Sequence, residues 1–242
     1  MNLSGGWIWH WRALRSRRRW QHACTQIEDW LMAQPLPSRQ LVLIGASAGW
    51  MLPGSWLQRF GSVQTWDIDP LAARLFRWRH GRALHERGIA LDTRTADALE
   101  ALPRLVREQP EAFFWFDNLF GQLRFMGVHP TEVPRRLARL HPLLQGVSWG
   151  SVHDRMSGPV KPGASGSPQV LDTLAGVAME SPPMQNWLVQ IGALSPWLDH
   201  MTDSALPRGT PVRHVAWPFK PGYAHWLEMG WCPAGRAHGT VR

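Results

Sequence analysis

One short stretch, LVLIG (41–45) running into ASAGW (46–50), restricts what this chain can fold into more than any other. A brief apolar run without polar alternation suits a strand buried on both faces, the kind found in parallel sheets. The glycines behind it let the backbone turn sharply and let a ligand approach amides at the start of the next helix. Such a strand needs cover on both sides, so the rest of the chain has to supply helices in alternation with strands.

The remaining sequence has that rhythm. A helix-like stretch near 50–60 leads to a second strand, VQTWDID (63–69). Asp69-Pro70 then places a capping side chain and a helix-compatible proline at the head of a helix over 71–88. A weaker strand over 89–98, a helix over 99–109 and the apolar strand EAFFWFDN (111–118) follow. A helix over 131–144 and a strand over 147–154 complete five strand–helix units. Residues 156–211 lose the rhythm: they hold a Gly/Pro/Ser stretch and two helix-like pieces near 169–179 and 184–201. PVRHVAWPFK and YAHWLEMGW, separated by Pro-Gly, predict a terminal hairpin over 211–231. The expected fold is α/β: a Rossmann-like, mostly parallel sheet with a C-terminal antiparallel hairpin and helices on both faces.

Ahead of the first strand, Trp9, Ala13, Ser16, Trp20, Ala23, Ile27 and Trp30-Leu31 fall at three- and four-residue steps. They predict an amphipathic helix over 9–33 with its arginines largely off the apolar stripe. The expected organisation is a helical extension over 1–40 and a domain over 41–242, interrupted by an insertion at about 156–211.

The net charge of +8 invites a nucleic-acid or membrane reading. Its location weakens that reading. Residues 1–40 and 74–94 each carry six arginines against two acids, and the remainder is balanced. Packing of the Trp/Arg helix on the protein body is preferred over binding to nucleic acid or a membrane surface. The 16 tryptophans and the near-absence of lysine are most simply a coding bias. Cys24 and Cys232 are too few and too far apart for a metal cluster or a disulfide framework, and no metal site is expected. No apolar run reaches the roughly 18 residues of a membrane span, and the start fits no secretory signal. The expectation is a cytoplasmic protein of bacterial type.

Counting from Gly45, an acid at a strand end arrives 22 residues later, at Asp67. About 20 residues is the spacing of a ribose-binding carboxylate on the second strand of a dinucleotide fold. Here the sequence resembles the class I S-adenosylmethionine-dependent methyltransferases. The likeness extends over roughly 41–231 through its strand order, with its specific motifs within 41–118. It implies that Gly45 and Gly49 are the outer glycines of the cofactor loop, with Ala46 and Ser47 between them. It also implies that Asp67 holds the ribose hydroxyls beside Ile68, and that Asp97 meets the adenine amino group beside Ala98. FFWFDNLFGQL (113–123) stands where that family faces methionine and substrate. The sequence departs from the family in two places: Leu43 replaces an acid and Ser47 a glycine.

Asp117-Asn118 ends the most apolar strand, and His153-Asp154 closes the fifth, both at the sheet edge where open α/β folds bind ligands. These four are the candidate groups facing a methyl acceptor of unknown identity, with His153 as proton acceptor and Asp154 orienting it. A methyltransferase-like module without catalysis is one alternative. Another is a serine hydrolase, because Gly45-Ala46-Ser47-Ala48-Gly49 also reads G-x-S-x-G. That pattern is similar to patatin-like lipases, which pair their serine with an Asp-Gly motif. No Asp-Gly occurs in this sequence.

Overall fold

A computed structural model describes residues 6–161 and 170–235. Its first strand, β1 (Gln40–Ile44), has both faces buried, and the alternation divides its side chains between two cores. Leu41 and Leu43 join one apolar cluster, Val42 and Ile44 the other. β4 (Phe113–Asp117) divides likewise, with Phe113 and Trp115 on the first side and Phe114 and Phe116 on the second. Each fully buried side chain of this size contributes roughly 1.5–3 kcal/mol, so these two strands anchor the domain.

β2 (Ser62–Asp67) and β3 (Ala90–Thr95) lie beyond β1, and β5 (Ser148–Pro159) lies beyond β4. All of these pairings are parallel. β9 (Tyr223–Cys232) runs antiparallel to β5, then β8 (Pro211–Lys220) and β6 (Val170–Leu174) complete the order β3-β2-β1-β4-β5-β9-β8-β6. The chain reverses direction of growth between β1 and β4, the topological switch point of a doubly wound Rossmann-like sheet. The two-residue β7 (Leu198–Asp199) pairs with β5.

Helices cover both faces. α1 (Trp7–Ala33) lays Ala13, Trp20, Ala23 and Ile27 on the first core, and the Trp20 indole donates to the Phe219 carbonyl at 3.2 Å. α2 (Gly54–Leu57) adds Trp56 to the same core. The helix expected over 71–88 is α3 (Pro70–Phe76), a π-helical turn over Arg77–Gly81, then α4 (Arg82–His85). α5 (Ala98–Glu108) and α7 (Val133–Leu143) cover the second core, and the short α6 (Leu119–Gln122) follows β4.

The region after β5 differs from expectation. β5 continues to Pro159, and the helix-like piece expected near 169–179 holds strand β6 over Val170–Leu174, paired with β8 at the sheet edge, followed by a turn. Alternating Val170, Asp172 and Leu174 suit an edge strand whose bonding is decided by a distant partner, a signal local periodicity lacks. Among the described residues only α8 (Pro182–Gln190) is helical there, with Met184 and Trp187 packed on Trp226. β5 also carries a bulge: Asp154 faces Leu227, Met156 faces Trp226, and Arg155 is the surplus residue.

Candidate active site

The carboxyl ends of β1, β2 and β4 open into a cavity of about 680 Å³ at the switch point. A volume of this order accommodates a small organic ligand. Gly45, Ser47, Asp67, Ile68, Asp97, Ala98, Asp117, Asn118 and Asp154 all line it, so residues spread over more than a hundred positions meet at one site.

The loop after β1 is tied to β2. Gly45 has φ 71° and donates to the Trp66 carbonyl at 2.9 Å; a Cβ there would stand 3.1 Å from Leu119 Cβ and 3.3 Å from the Asp117 carbonyl. Ser47 adopts φ 46°, left-handed and costly for a residue with a Cβ. Its amide is held by Asp67 Oδ2 at 2.7 Å, while Asp67 Oδ1 accepts from the Asp69 amide at 2.7 Å. Burial pushes the Asp67 carboxyl above its ordinary range, opposed by these two amides. Asp69 caps α3, accepting from the Leu71 amide at 2.9 Å.

Two members of the expected cofactor set do not line the cavity. Ala46 is buried beneath the loop. Gly49, at φ 59°, makes room for His80 behind it; a Cβ would lie 2.8 Å from His80 Nε2. Asp97 caps α5 through Oδ1, which accepts from the Leu99 amide at 2.8 Å and the Glu100 amide at 3.3 Å. Leu43, the position where an acid is missing, is fully buried in the core.

Asp117 sits at the end of β4 facing the same space. Burial raises its pKa to about 8, with the nearby Asp67 carboxylate adding to the effect. Asn118 follows in a left-handed conformation (φ 55°) that turns its side chain toward Asp154.

His153 and Asp154 are neighbours with opposite fates. Asp154 lines the cavity; His153 points to the other side of the strand, where it bonds Ser151 Oγ at 3.1 Å and stands 3.4 Å from Glu228. Successive strand residues point to opposite faces, so adjacency in sequence separates these two in space. The histidine beside Asp154 is His225 of β9, with Nδ1 3.0 Å from Asp154 Oδ1. Nothing in the sequence spacing selects it, because the β5–β9 register decides the pairing. Trp9 and Arg12 of α1 also line the cavity, together with Trp217 and Phe219 of β8. Their signal was the apolar stripe of α1, whose docking site on β8 is not local information.

Ser47 has an unexpected partner. Its hydroxyl accepts from the Trp9 indole N–H at 2.9 Å rather than bonding a histidine. A nucleophilic serine needs a base within hydrogen-bond reach, so the G-x-S-x-G reading lacks support here.

Among the described residues no helix is long and apolar enough to cross a membrane. The sequence matches no known family model and no curated protein. In structure it is similar to the N-methyltransferase NodS from Bradyrhizobium japonicum in complex with S-adenosyl-L-homocysteine, at 11% identity and a TM-score of 0.48, over 95% of this chain and 94% of that one. It is also similar to a SAM-dependent methyltransferase from Anabaena variabilis (12% identity, TM-score 0.45, 92% and 93% coverage). A third similar structure is the magnesium protoporphyrin IX methyltransferase from Synechocystis (13%, 0.43, 93% and 85%).

Proposed function

We propose that this protein transfers a methyl group from S-adenosylmethionine to an acceptor bound in the same cavity. The observation that carries the reading is the union of the Gly45–Ser47 turn and the Asp67 carboxylate at the switch point. That union is a glycine turn and a strand-end acid sharing one cavity of about 680 Å³.

The donor set suits the cofactor. Asp67 accepts the ribose hydroxyls with lone pairs its two amide bonds leave over, and Ile68 flanks the sugar. Asp97 and Ala98 receive the adenine at the head of α5. With Leu43 withdrawn into the core, Asp117 is the acid in reach of the cofactor's ammonium. The bound cofactor supplies an electrophilic methyl on its sulfonium. Asp117 holds or releases a proton near neutral pH, a useful property beside an acceptor that loses one on methylation. Asn118 and Asp154 shape the acceptor end, and aromatic Trp217 and Phe219 favour an acceptor with a flat apolar part. We further propose a cytoplasmic setting, since with two cysteines in 242 residues the fold rests on its core rather than on disulfides.

Calorimetry with S-adenosylmethionine and S-adenosyl-L-homocysteine tests the reading. Saturable one-to-one binding is expected. Well-folded protein that binds neither at millimolar concentration would sink it.

A further inference from the structure

Three side chains from different elements converge beside the cavity: Asp154 of β5 and His225 of β9, which line it, and the fully buried His200 just after β7. One ligand-capable atom from each lies within 4.8 Å of the others. Asp154 and His200 are fully buried and His225 nearly so, which makes an uncompensated cluster costly.

The contact between Asp154 and His225 is unusual. Oδ1 and Nδ1 approach to 3.0 Å, yet both are buried without a hydrogen-bond partner. The two atoms are at ion-pair distance without the alignment of a regular hydrogen bond. With metal–ligand bonds of about 2.0–2.1 Å, adjacent ligands of one ion stand about 3 Å apart.

His200 completes the set through a choice of tautomer. Its Nδ1 lies 4.0 Å from Asp154 Oδ2 and 3.1 Å from the Gly121 carbonyl, and its Nε2 lies 3.0 Å from Ser157 Oγ. A hydroxyl both donates and accepts. In the observed contact Nδ1 donates to the Gly121 carbonyl, which can only accept; when Nε2 carries the proton and donates to Ser157 instead, that bond is given up and the Nδ1 lone pair is left for a metal beside Asp154. Two outer groups suit that state: Asn118 Nδ2 donates to Asp154 Oδ2 at 3.0 Å, and the Tyr223 hydroxyl is 3.0 Å from Ser157 Oγ. Such second partners orient metal ligands and fix their tautomers.

We propose that Asp154, His200 and His225 form a site for one divalent transition-metal ion, with its open positions toward the cavity. Two imidazoles and one carboxylate suit zinc, iron(II), cobalt or manganese better than magnesium or calcium. Sequence spacing carries no trace of this site because its ligands come from three elements joined only by the sheet. A further clause rests on the methyl-transfer reading: the open positions bind an oxygen or nitrogen atom of the acceptor.

The test uses full-length protein stripped with EDTA and dialysed. Zinc is titrated by calorimetry and cobalt(II) by visible absorption. One equivalent of each is expected, with the d–d bands of a nitrogen-ligated ion. His225→Gln, at the cavity wall, is expected to weaken zinc binding beyond the ~10–100-fold loss typical of outer-partner substitutions, and Ser157→Ala within that range. Circular dichroism and melting curves check that each variant folds. If His225→Gln does not fold, Ser157→Ala and the wild-type stoichiometry decide. No saturable binding, or binding that survives both substitutions unchanged, overturns the proposal and leaves Asp154 and His225 as a plain ion pair. S-Adenosyl-L-homocysteine binding, measured on the metal-free protein, separates failure of this site from failure of the methyl-transfer reading.

Discussion

Asn118 and Asp154 hold each other twice: Asn118 Nδ2 donates to Asp154 Oδ2 at 3.0 Å, and the Asp154 amide donates to Asn118 Oδ1 at 2.9 Å. The clasp joins the end of β4 to β5 across the cavity wall. It closes only because Gly121 has no side chain. A Cβ there would stand 2.7 Å from both Asn118 Oδ1 and Asp154 Cβ, and 2.8 Å from the Asp154 amide. Gly121→Ala is therefore expected to destabilise the fold by about 1–3 kcal/mol, as overpacking does. Urea unfolding checks it, and an unchanged midpoint would show that the clasp relaxes freely.

Asp67 organises the loop and lines the cavity at once. Asp67→Asn loses the charge behind two amide hydrogen bonds, each worth roughly 1.5–3 kcal/mol when the acceptor is ionised. S-Adenosyl-L-homocysteine affinity is expected to fall by about 10- to 100-fold in calorimetry. Retained affinity would separate the loop's geometry from its ligand.

Asp97 caps α5 and lines the cavity, and substitution can separate the cap from the proposed cofactor contact. Asn also caps helices well, whereas Ala costs about 1 kcal/mol at such a position. Asp97→Asn should keep the melting temperature and lower cofactor affinity; Asp97→Ala should lower both. Equal affinity in the Asn variant and the parent would confine this residue to capping.

Asp117 makes stability depend on pH. Its pKa rises from 3.8 in the unfolded chain to about 8 in the fold, so between these values the native state holds the extra proton. Stability contributed by this group is therefore complete below about pH 4 and declines as pH rises toward 8. Asp117→Asn removes the decline and should melt higher than the parent at pH 8, by about 2–4 °C for each ~1 kcal/mol relieved. Parallel melting curves across that range would show that the carboxyl ionises freely.

α1 belongs to the core rather than to a detachable arm. Trp20 is buried, stacks on Phe219 and meets Trp217 edge-on at 4.8 Å. Trp20→Ala should cost about 3–5 kcal/mol, whereas the exposed Trp7 should change stability by less than about 0.5 kcal/mol. Denaturant titration of the two variants reads the contrast directly.

The parallel half of the fold was legible because its signals are local. Apolar runs at 41–45 and 111–118 become β1 and β4, and Asp69-Pro70 caps the helix it announces. The acid at Asp67 and the turn at Gly45 do meet in one cavity. What stayed hidden depends on partners far away in sequence. β6 forms because β8 offers an edge, and His225 reaches Asp154 because β9 pairs antiparallel with β5. His153 was the natural choice of partner by proximity along the chain, and strand alternation is what removes it.

The bulge at Arg155 lets the two sides of β5 count residues differently. Upstream of it Asp154 looks toward His200, and downstream Ser157 does the same, three positions on where a regular strand would allow two. The surplus residue serves the opposite side: its guanidinium lies 3.2 Å from the buried Glu228 and 5.7 Å over the Trp226 ring. A chain without Arg155 would thus keep Asp154 and Ser157 both on His200 while leaving Glu228 without its arginine. Chemistry in the cavity and charge balance behind it are separable traits, divided by a single insertion.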